Sequence, residues 1–547
     1  MPERVDQGPG RSPVFQFQKE PHDEGGGIEV TPAPEAGAER LRGDAKKAWH
    51  KTNCTGNGIG GRGARPLRRC GRSLSAFIVP EMAGNRPEGP GGGKGGIGVW
   101  SCSSETRKVA MNTEENVSTR MEQIAVNAKR LPEVSFTSLA HHIDLRWLYK
   151  AYTETRKDGA LGVDGQSAEE YAEHLKENLR GLEDRFKSGR YKAPPVKRVY
   201  IPKDGKKELR PLGIPTYEDK ILQRAVKWVM EPIYEQDFYE CSYGFRPNRS
   251  AHDALRALWK GLMNMGGGWV IDLDIRKYFD TIRWDKLREV LKLRVSDGVL
   301  IRTIGKWMNA GIMEEGAVHY PEAGTPQGGV ISPLLSNIFL HYVLDKWLHE
   351  TVFPRLKGRA FEIRYADDAV ICFEREEDAR RVMKVLPKRL AKYGLEMHPE
   401  KTLLVNFKRP EKNEDRKGNG RPGTFNSLGF THYWAESRKG RLVIVRRTEK
   451  GRMSRSLKKM AEWCRSVMHR KLRDQHKELC LKLNGYYGYF GIVGNYKSLA
   501  RYMRAVVGIW RKWLNRRSRR RDLYWYKMWK ILETFPLPQP RIVHSTG

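Results

Sequence analysis

The stretch from Phe361 to Phe373 leaves its backbone few choices. Two short runs rich in β-forming residues, Phe361 to Arg364 and Ala369 to Phe373, flank the acidic tetrapeptide Tyr365-Ala366-Asp367-Asp368. Aspartate suits turn geometry and interrupts a strand, so the spacing predicts a hairpin with a tight acidic turn. Such a turn holds two carboxylates at a strand edge, where burial and mutual repulsion are costly unless a cation neutralises them. Four residues alone are a weak motif, and their meaning rests on what surrounds them.

At 547 residues the chain exceeds one ordinary core, which predicts two to four domains. Its net charge of +35, from 100 Lys and Arg against 65 Asp and Glu, opposes compaction through self-repulsion. An excess of this size fits an extended polyanionic partner, RNA or DNA. The seven cysteines, Cys54, Cys70, Cys102, Cys241, Cys372, Cys464 and Cys480, form no C-x-x-C pair and no zinc-finger spacing. Scattered and odd in number, they suit reduced thiols in a cytosolic compartment. No apolar run approaches the length of a membrane span.

Residues 1 to about 115 are rich in Gly, Pro and Arg and lack any sustained period, which predicts disorder. Amphipathic sequence begins only near residue 116, a contrast that raises the alternative that synthesis starts at Met111 or Met121. From 116 to 260 the pattern is mainly helical, with helices opening at Leu145 and spanning Ser167 to Leu179. Val196 to Lys203 alternates like a strand before a turn at Gly205, and a further helix places Ile221, Leu222, Ala225, Val226 and Val229 on one face. Between 269 and 405 the pattern is mixed. A strand covers Trp269 to Asp274, and a helix covers Asp285 to Val295. Ser332 and Pro333 supply an N-cap and first helical position, and a helix from about Glu377 to Tyr393 ends at Gly394. Residues 441–547 hold 27 Lys and Arg against 6 Asp and Glu, so most of the positive charge lies there. In that region Leu499, Tyr502, Met503, Val506, Trp510 and Trp513 recur at helical spacing as a core face, which leaves the interleaved Arg501, Arg504, Arg511 and Lys512 open.

A second acidic strand end is Asp272-Leu273-Asp274. The period of two puts both aspartates on one face, opposite Ile271 and Leu273, and does not choose between them as ligands. Three carboxylates from two neighbouring strands would bind a pair of Mg²⁺ ions that leave positions to water and phosphates. Taken singly, Asp272 and Asp280 read as capping or salt-bridging residues.

From about residue 120 onward the chain resembles bacterial group II intron-encoded reverse transcriptases and maturases. The resemblance is carried, in order, by Arg210-Pro211-Leu212-Gly213-Ile214-Pro215, Ser242-Tyr243-Gly244-Phe245-Arg246-Pro247, Asp274 to Phe279, Gly324-Thr325-Pro326-Gln327-Gly328-Gly329, Tyr365 to Asp368, Gly394-Leu395-Glu396 with Lys401-Thr402, and Ser427-Leu428-Gly429-Phe430. Leu483 to Gly491, Gly494-Asn495-Tyr496, Leu514 to Ser518 and the closing Pro536 to His544 resemble the maturase, or thumb, domain.

The resemblance implies an α+β fold: a right-hand polymerase with an antiparallel palm sheet, followed by an α-helical thumb. Its domains would be a disordered extension (1–115), N-terminal helices and fingers (116–268), a palm (269–435) and a thumb or maturase domain (441–547). It implies an RNA-directed DNA polymerase using two Mg²⁺ ions, with Asp274, Asp367 and Asp368 as catalytic metal ligands and the backbone of Ile275 beside them. Phe279 would lie under the sugar of the incoming nucleotide as a gate against ribonucleotides. Lys203, Arg210, Gln327 and Lys401 would also contact nucleotide. In the basic C-terminal region Arg501, Arg504, Arg511, Lys512, Arg516 and Arg517 would bind RNA, with aromatics either stacking on bases or packing as core. Implied partners are the cognate intron RNA, the DNA target and primer strand, and dNTPs, in a bacterial, nucleoid-associated cytoplasmic setting. A splicing-only maturase without polymerase activity is the alternative; retention of three repulsive carboxylates argues against it. No Cys/His endonuclease segment is visible after His544, and the family alternative is priming from a nascent strand.

Overall fold

The computed structural model describes residues 104–202, 209–314, 317–320, 328–410, 423–437, 439–517 and 522–545. The expectations for the Gly-rich segment to residue 103, for the Gly205 turn, and for Lys203, Gln327 and Ser518 therefore lie outside the described residues. The first helix, α1 (Ser104–Arg130), starts before the expected edge near 115.

Four helices open the fold: α1, α2 (Leu145–Glu154), α3 (Ala168–Glu173) and α4 (Leu175–Lys187). Asp144 caps α2 by accepting from the Trp147 amide, and Ser167 with Glu170 forms a capping box on α3. The single helix expected over Ser167 to Leu179 breaks at His174, whose φ of −117° and ψ of 36° leave the helical region. The Asn178 side chain donates to the Tyr171 carbonyl at 3.0 Å, satisfying a group exposed by the break. Next come β1 (Val196–Pro202), β2 (Leu209–Ile214) and the long α5 (Tyr217–Asp237). Ile221, Leu222, Ala225, Val226 and Val229 of α5 are all fully buried, as their spacing predicts. At about 1.5–3 kcal/mol for each large apolar side chain, this face makes α5 a main support of the core. The Trp147 indole ties α2 to it by donating to the Ala225 carbonyl at 3.0 Å.

The chain continues through α6 (Ala251–Met265), β3 (Trp269–Leu273), α7 (Tyr278–Thr281), α8 (Trp284–Lys292), α9 (Gly298–Met308), β4 (Ile312–Glu314), β5 (Ala317–His319) and α10 (Ser332–Leu340). Ser332 begins α10 rather than capping it; Ile331 holds the cap position and Pro333 follows in the first turn. Two π-helical segments, His341–Asp345 and Leu348–Val352, extend α10. The expected hairpin then appears as β6 (Ala360–Tyr365) and β7 (Asp368–Phe373), followed by α11 (Glu376–Lys392) and β8 (Leu403–Asn406).

Strands β6, β7, β3 and β8 form one antiparallel sheet in that order, and β2, β1, β4 and β5 form another, in which β1 runs parallel to β4. Both faces of the β6–β7–β3–β8 sheet are covered. Ile271, Leu273, Ala369, Ile371 and Phe373 join the core of α5, α10 and α11, while Val270, Ile363, Val370 and Cys372 pack with Leu258 and Leu262 of α6. Coverage on both sides explains why Ala369 to Phe373 is a continuous apolar run. A third sheet, β11–β10–β9, combines β9 (Phe425–Ser427), β10 (Phe430–Glu436) and β11 (Leu442–Thr448). The β10–β11 hairpin spans the position where composition places a boundary at 441.

The remaining chain is helical: α12 (Lys450–Ser466), α13 (Leu472–Phe490), α14 (Tyr496–Leu514) and α15 (Trp525–Thr534). Its core includes Leu479, Leu483, Tyr487, Leu499, Val506 and Trp510. Tyr486 and Tyr502 stack face to face between α13 and α14, with centroids 3.6 Å apart. The fold is thus mixed α and β, as expected. Among the described residues no helix is long and apolar enough to cross a membrane.

Candidate active site

Tyr365 pairs with Asp368 across the hairpin, so Ala366 and Asp367 make a two-residue turn. Ala366 has φ +58°, a left-handed conformation that costs a non-glycine residue about 1–3 kcal/mol unless its surroundings fix it. Here they do. Arg364, fully buried, donates from Nη1 to the Ala366 carbonyl at 3.0 Å and to Asn337 Oδ1 at 3.1 Å. Its Nε donates to Asp345 Oδ1 at 2.7 Å, and its Nη2 meets the other Asp345 oxygen. Asn337 in turn donates to the Gly244 carbonyl at 2.6 Å. A Cβ on Gly244 would lie 2.2 Å from the Ala366 nitrogen, so only glycine lets the Ser242 to Phe245 loop come this close.

Asp274 lies one residue past β3, and the pairing of Leu273 with Ala369 carries it toward Asp368. Its backbone is pinned. The His398 amide donates to the Asp274 carbonyl at 2.8 Å, and the Asp274 amide donates to Thr402 Oγ1 at 3.3 Å. Lys401 Nζ sits 3.2 Å from Asp274 Oδ2. Ile275 bridges Met397 through its neighbours: the two bonds run from the Arg276 amide to the Glu396 carbonyl and from the His398 amide to the Asp274 carbonyl. Neither uses the N–H or C=O of Ile275 itself.

Burial raises the Asp367 carboxyl, the Asp274 charge adds to this, and Arg210 pulls it back. Asp368 is exposed at its outer surface with dense protein on its other sides. Burial, then Asp367 and Asp274, push its pKa up to about 6, against the opposing pull of Arg452 and Lys401. Asp272 joins this group. Burial, Asp368 and Asp274 push it up to about 7, and no cation among the described residues is in ion-pair range. The capping or salt-bridging role expected for Asp272 is therefore corrected: it adds to the repulsion instead. Asp280 lies apart, on α7.

These directions show a cluster short of positive charge. Carboxylate oxygens with a neighbouring backbone carbonyl are hard donors that suit Mg²⁺. The donor set therefore fits the implied metal, and Lys401 shows a cation accepted at Asp274.

Two other motif stretches reach the same region. Arg210 on β2 is exposed and acts on Asp367. Gly328, beside the undescribed Gln327, would place a Cβ 2.4 Å from the Gly213 carbonyl, so Gly328 itself packs against β2. Phe279 is half-buried against the main core, its ring 5.4 Å from Tyr278.

On α14, Arg501, Arg504 and Lys512 are exposed, as are Arg516 and Arg517 just beyond it. Arg511 is used internally: its guanidinium lies 4.3 Å from the Trp525 ring centroid and donates to the Leu523 carbonyl at 3.0 Å. Tyr486, Tyr487 and Phe490 are buried, so for them the core reading holds. Tyr496 of the maturase-like block is exposed, as are Tyr524, Trp525, Tyr526 and Trp529, which the spacing did not single out. The hydrogen-bonded support made by Arg364, Asp345 and Asn337 was also missed. An arginine inside an apolar run was its only signal.

The family described as "Reverse transcriptase (RNA-dependent DNA polymerase)" matches residues 201–432. Protein YkfC of Escherichia coli is 44% identical over 207 residues, covering 37% of this chain and 53% of that protein. Group II intron-encoded protein LtrA of Lactococcus lactis is 33% identical over 284 residues, covering 49% of this chain and 46% of that protein. Nuclear intron maturase 2 of Arabidopsis thaliana is 31% identical over 219 residues, covering 31% of this chain and 29% of that protein. The chain thus spans about half the length, or less, of these relatives. Residues 201–432 carry a reverse transcriptase domain, and parts of the chain are homologous to a group II intron-encoded protein and to an intron maturase.

Proposed function

We propose that the protein is an RNA-directed DNA polymerase that also serves as a maturase, binding a group II intron RNA, assisting its splicing and copying it into DNA. The observation that carries this reading is the convergence on one turn of three mutually repelling aspartates, two of them raised, with Arg210 and Lys401 close by. In this reading Asp274, Asp367 and Asp368, with the Ile275 carbonyl, hold two Mg²⁺ ions. The ions, when bound, activate the primer 3′-hydroxyl and neutralise the leaving pyrophosphate.

The protein's own groups bind and orient. Arg210 and the undescribed Lys203 give charge-assisted bonds to triphosphate oxygens. Lys401 exchanges Asp274 for phosphate as charge moves to the leaving group. Phe279 closes the sugar pocket against a 2′-hydroxyl, and Gln327 contacts the nucleotide. The β6–β7–β3–β8 sheet acts as palm, the β2–β1–β4–β5 sheet as fingers, and α12 to α15 as thumb. Arg501, Arg504, Lys512, Arg516 and Arg517 follow the RNA backbone; Arg511 positions α15.

Primer extension with dNTPs on an RNA template, with Mg²⁺, tests the reading. Wild-type protein is expected to extend and Asp367→Asn to lose extension by at least about a hundredfold. Equal extension by both removes the assigned site. RNA binding without extension by the wild type favours the splicing-only alternative.

A further inference from the structure

Behind the acidic turn, on the opposite face of β6 from Tyr365, lies a second group of metal-binding side chains. Glu362 is 2% exposed, and among the described residues its Oε1 has no hydrogen-bond partner. The Cys241 sulfur is 3.8 Å from Glu362 Oε2, and His349 Nε2, also without a hydrogen-bond partner among the described residues, is 3.9 Å from the same oxygen. The three donor atoms all lie within 4.8 Å of one another. A buried carboxylate ordinarily requires a cation or a full set of donors. The nearest guanidinium, that of Arg364, is committed to Asp345 by two bonds.

We propose that Cys241, His349 and Glu362 form a binding site for a divalent transition-metal ion of the zinc class. A sulfur, an imidazole nitrogen and a carboxylate oxygen are the donors such an ion prefers, whereas Mg²⁺ takes oxygen alone. Zinc bond lengths put tetrahedral donors roughly 3.3–3.6 Å apart, so closure needs side-chain shifts of a few tenths of an ångström to about one ångström. His349 sits in the π-helical segment Leu348–Val352, a distortion frequent at functional sites. The rings of Tyr239 and Phe353, at 4.7 and 5.0 Å, fix its imidazole. The His349 side chain is 35% exposed, but its Nε2 is turned inward and buried with the other two donors.

Burial and Glu362 push the Cys241 thiol well up, and burial and Asp345 push the Glu362 carboxyl up. An M²⁺ ion bound by the Cys241 thiolate, the Glu362 carboxylate and the neutral His349 imidazole makes a neutral site, and forming it displaces the thiol proton to solvent. Such an ion would staple three segments behind the turn: the Cys241 loop, β6 and the helix after α10. The Cys241 carbonyl already accepts from the Arg364 amide at 2.8 Å, which links the staple to the residue that fixes Ala366.

Cobalt titration of the full-length protein tests this. One equivalent of Co²⁺ is expected to give a thiolate-to-metal charge-transfer band that Zn²⁺ displaces. Cys241→Ser is expected to abolish the band, and His349→Gln, at a partly exposed position, to weaken binding at least about tenfold. Cys480→Ser, which removes a thiol 3.2 Å from His476, should leave the band intact. No band, or one that survives Cys241→Ser, overturns the proposal. Zn²⁺ binding by wild-type protein at about pH 7 should release at least one proton, that of the thiol, and release of none overturns the proposal even if Cys241→Ser fails to fold. The site shares no ligand with the acidic turn, so its failure leaves the polymerase reading untouched.

Discussion

The β6–β7 hairpin and the α13–α14 helix pair handle charge in opposite ways. In the hairpin, Arg364 and Asp345 are both 0% exposed, and a bidentate ion pair sits where a core would ordinarily be apolar. In the helix pair the interior is aromatic and aliphatic, and Arg501 and Arg504 stand outside. A buried ion pair adds little net stability, because desolvation offsets the attraction, but it fixes position. A stacked aromatic core adds stability and leaves the surface free to vary. The hairpin is therefore organised for placement, and the helices for holding a basic face in the open.

The largest expected effect comes from breaking the hairpin support. Arg364→Met strands Asp345 in the core and frees the Ala366 carbonyl, and should destabilise the protein by about 3–5 kcal/mol in urea unfolding. The double variant with Asp345→Leu should recover part of that loss; an unchanged midpoint for the single variant would show that the pair does not hold the turn.

In the helix pair the corresponding change is milder. Tyr502→Leu loses the stack on Tyr486 and should cost about 0.5–1.5 kcal/mol, measured the same way. A cost as large as that of Arg364→Met would erase the contrast between the regions. Smallest of all is Arg504→Ala, with a stability change within about 0.5 kcal/mol. Its effect should appear only in RNA binding, as a salt slope shallower by roughly one contact. An unchanged slope would take Arg504 out of the RNA face.

The same contrast explains what the sequence disclosed. The hairpin was legible because two short runs of β-formers around an acidic turn have one local solution. The α14 core face was legible because Leu499, Tyr502, Val506 and Trp510 repeat at helical spacing. The break at His174 was not, because it depends on Asn178 reaching back to Tyr171. Nor was the use of Arg511 by Trp525, since an arginine at a helix end looks the same whether it faces solvent or a ring. Asp272 was misread for a related reason: periodicity gives the face of a strand and says nothing about what is packed on it. Asp367 and Asp368 were legible from the acidic turn, the choice of Asp274 over Asp272 came from resemblance, and the residues that hold them became visible only in three dimensions.

The central claim is that the acidic turn carries repulsion that serves metal binding. Replacing Asp368 by Asn tests it, with thermal melts in the absence of divalent ions and primer extension in the presence of Mg²⁺. The folded pKa of Asp368 is raised from 3.8 to about 6, so the folded chain keeps this proton more tightly than the unfolded chain does. That advantage is fully present below pH 3.8 and is lost as pH rises through about 6, which leaves a charged, destabilising group above. Asp368→Asn should therefore raise the melting temperature at about pH 8, raise it little at about pH 4, and abolish extension. Retained extension, or a lower melting temperature at the higher pH, would contradict the account.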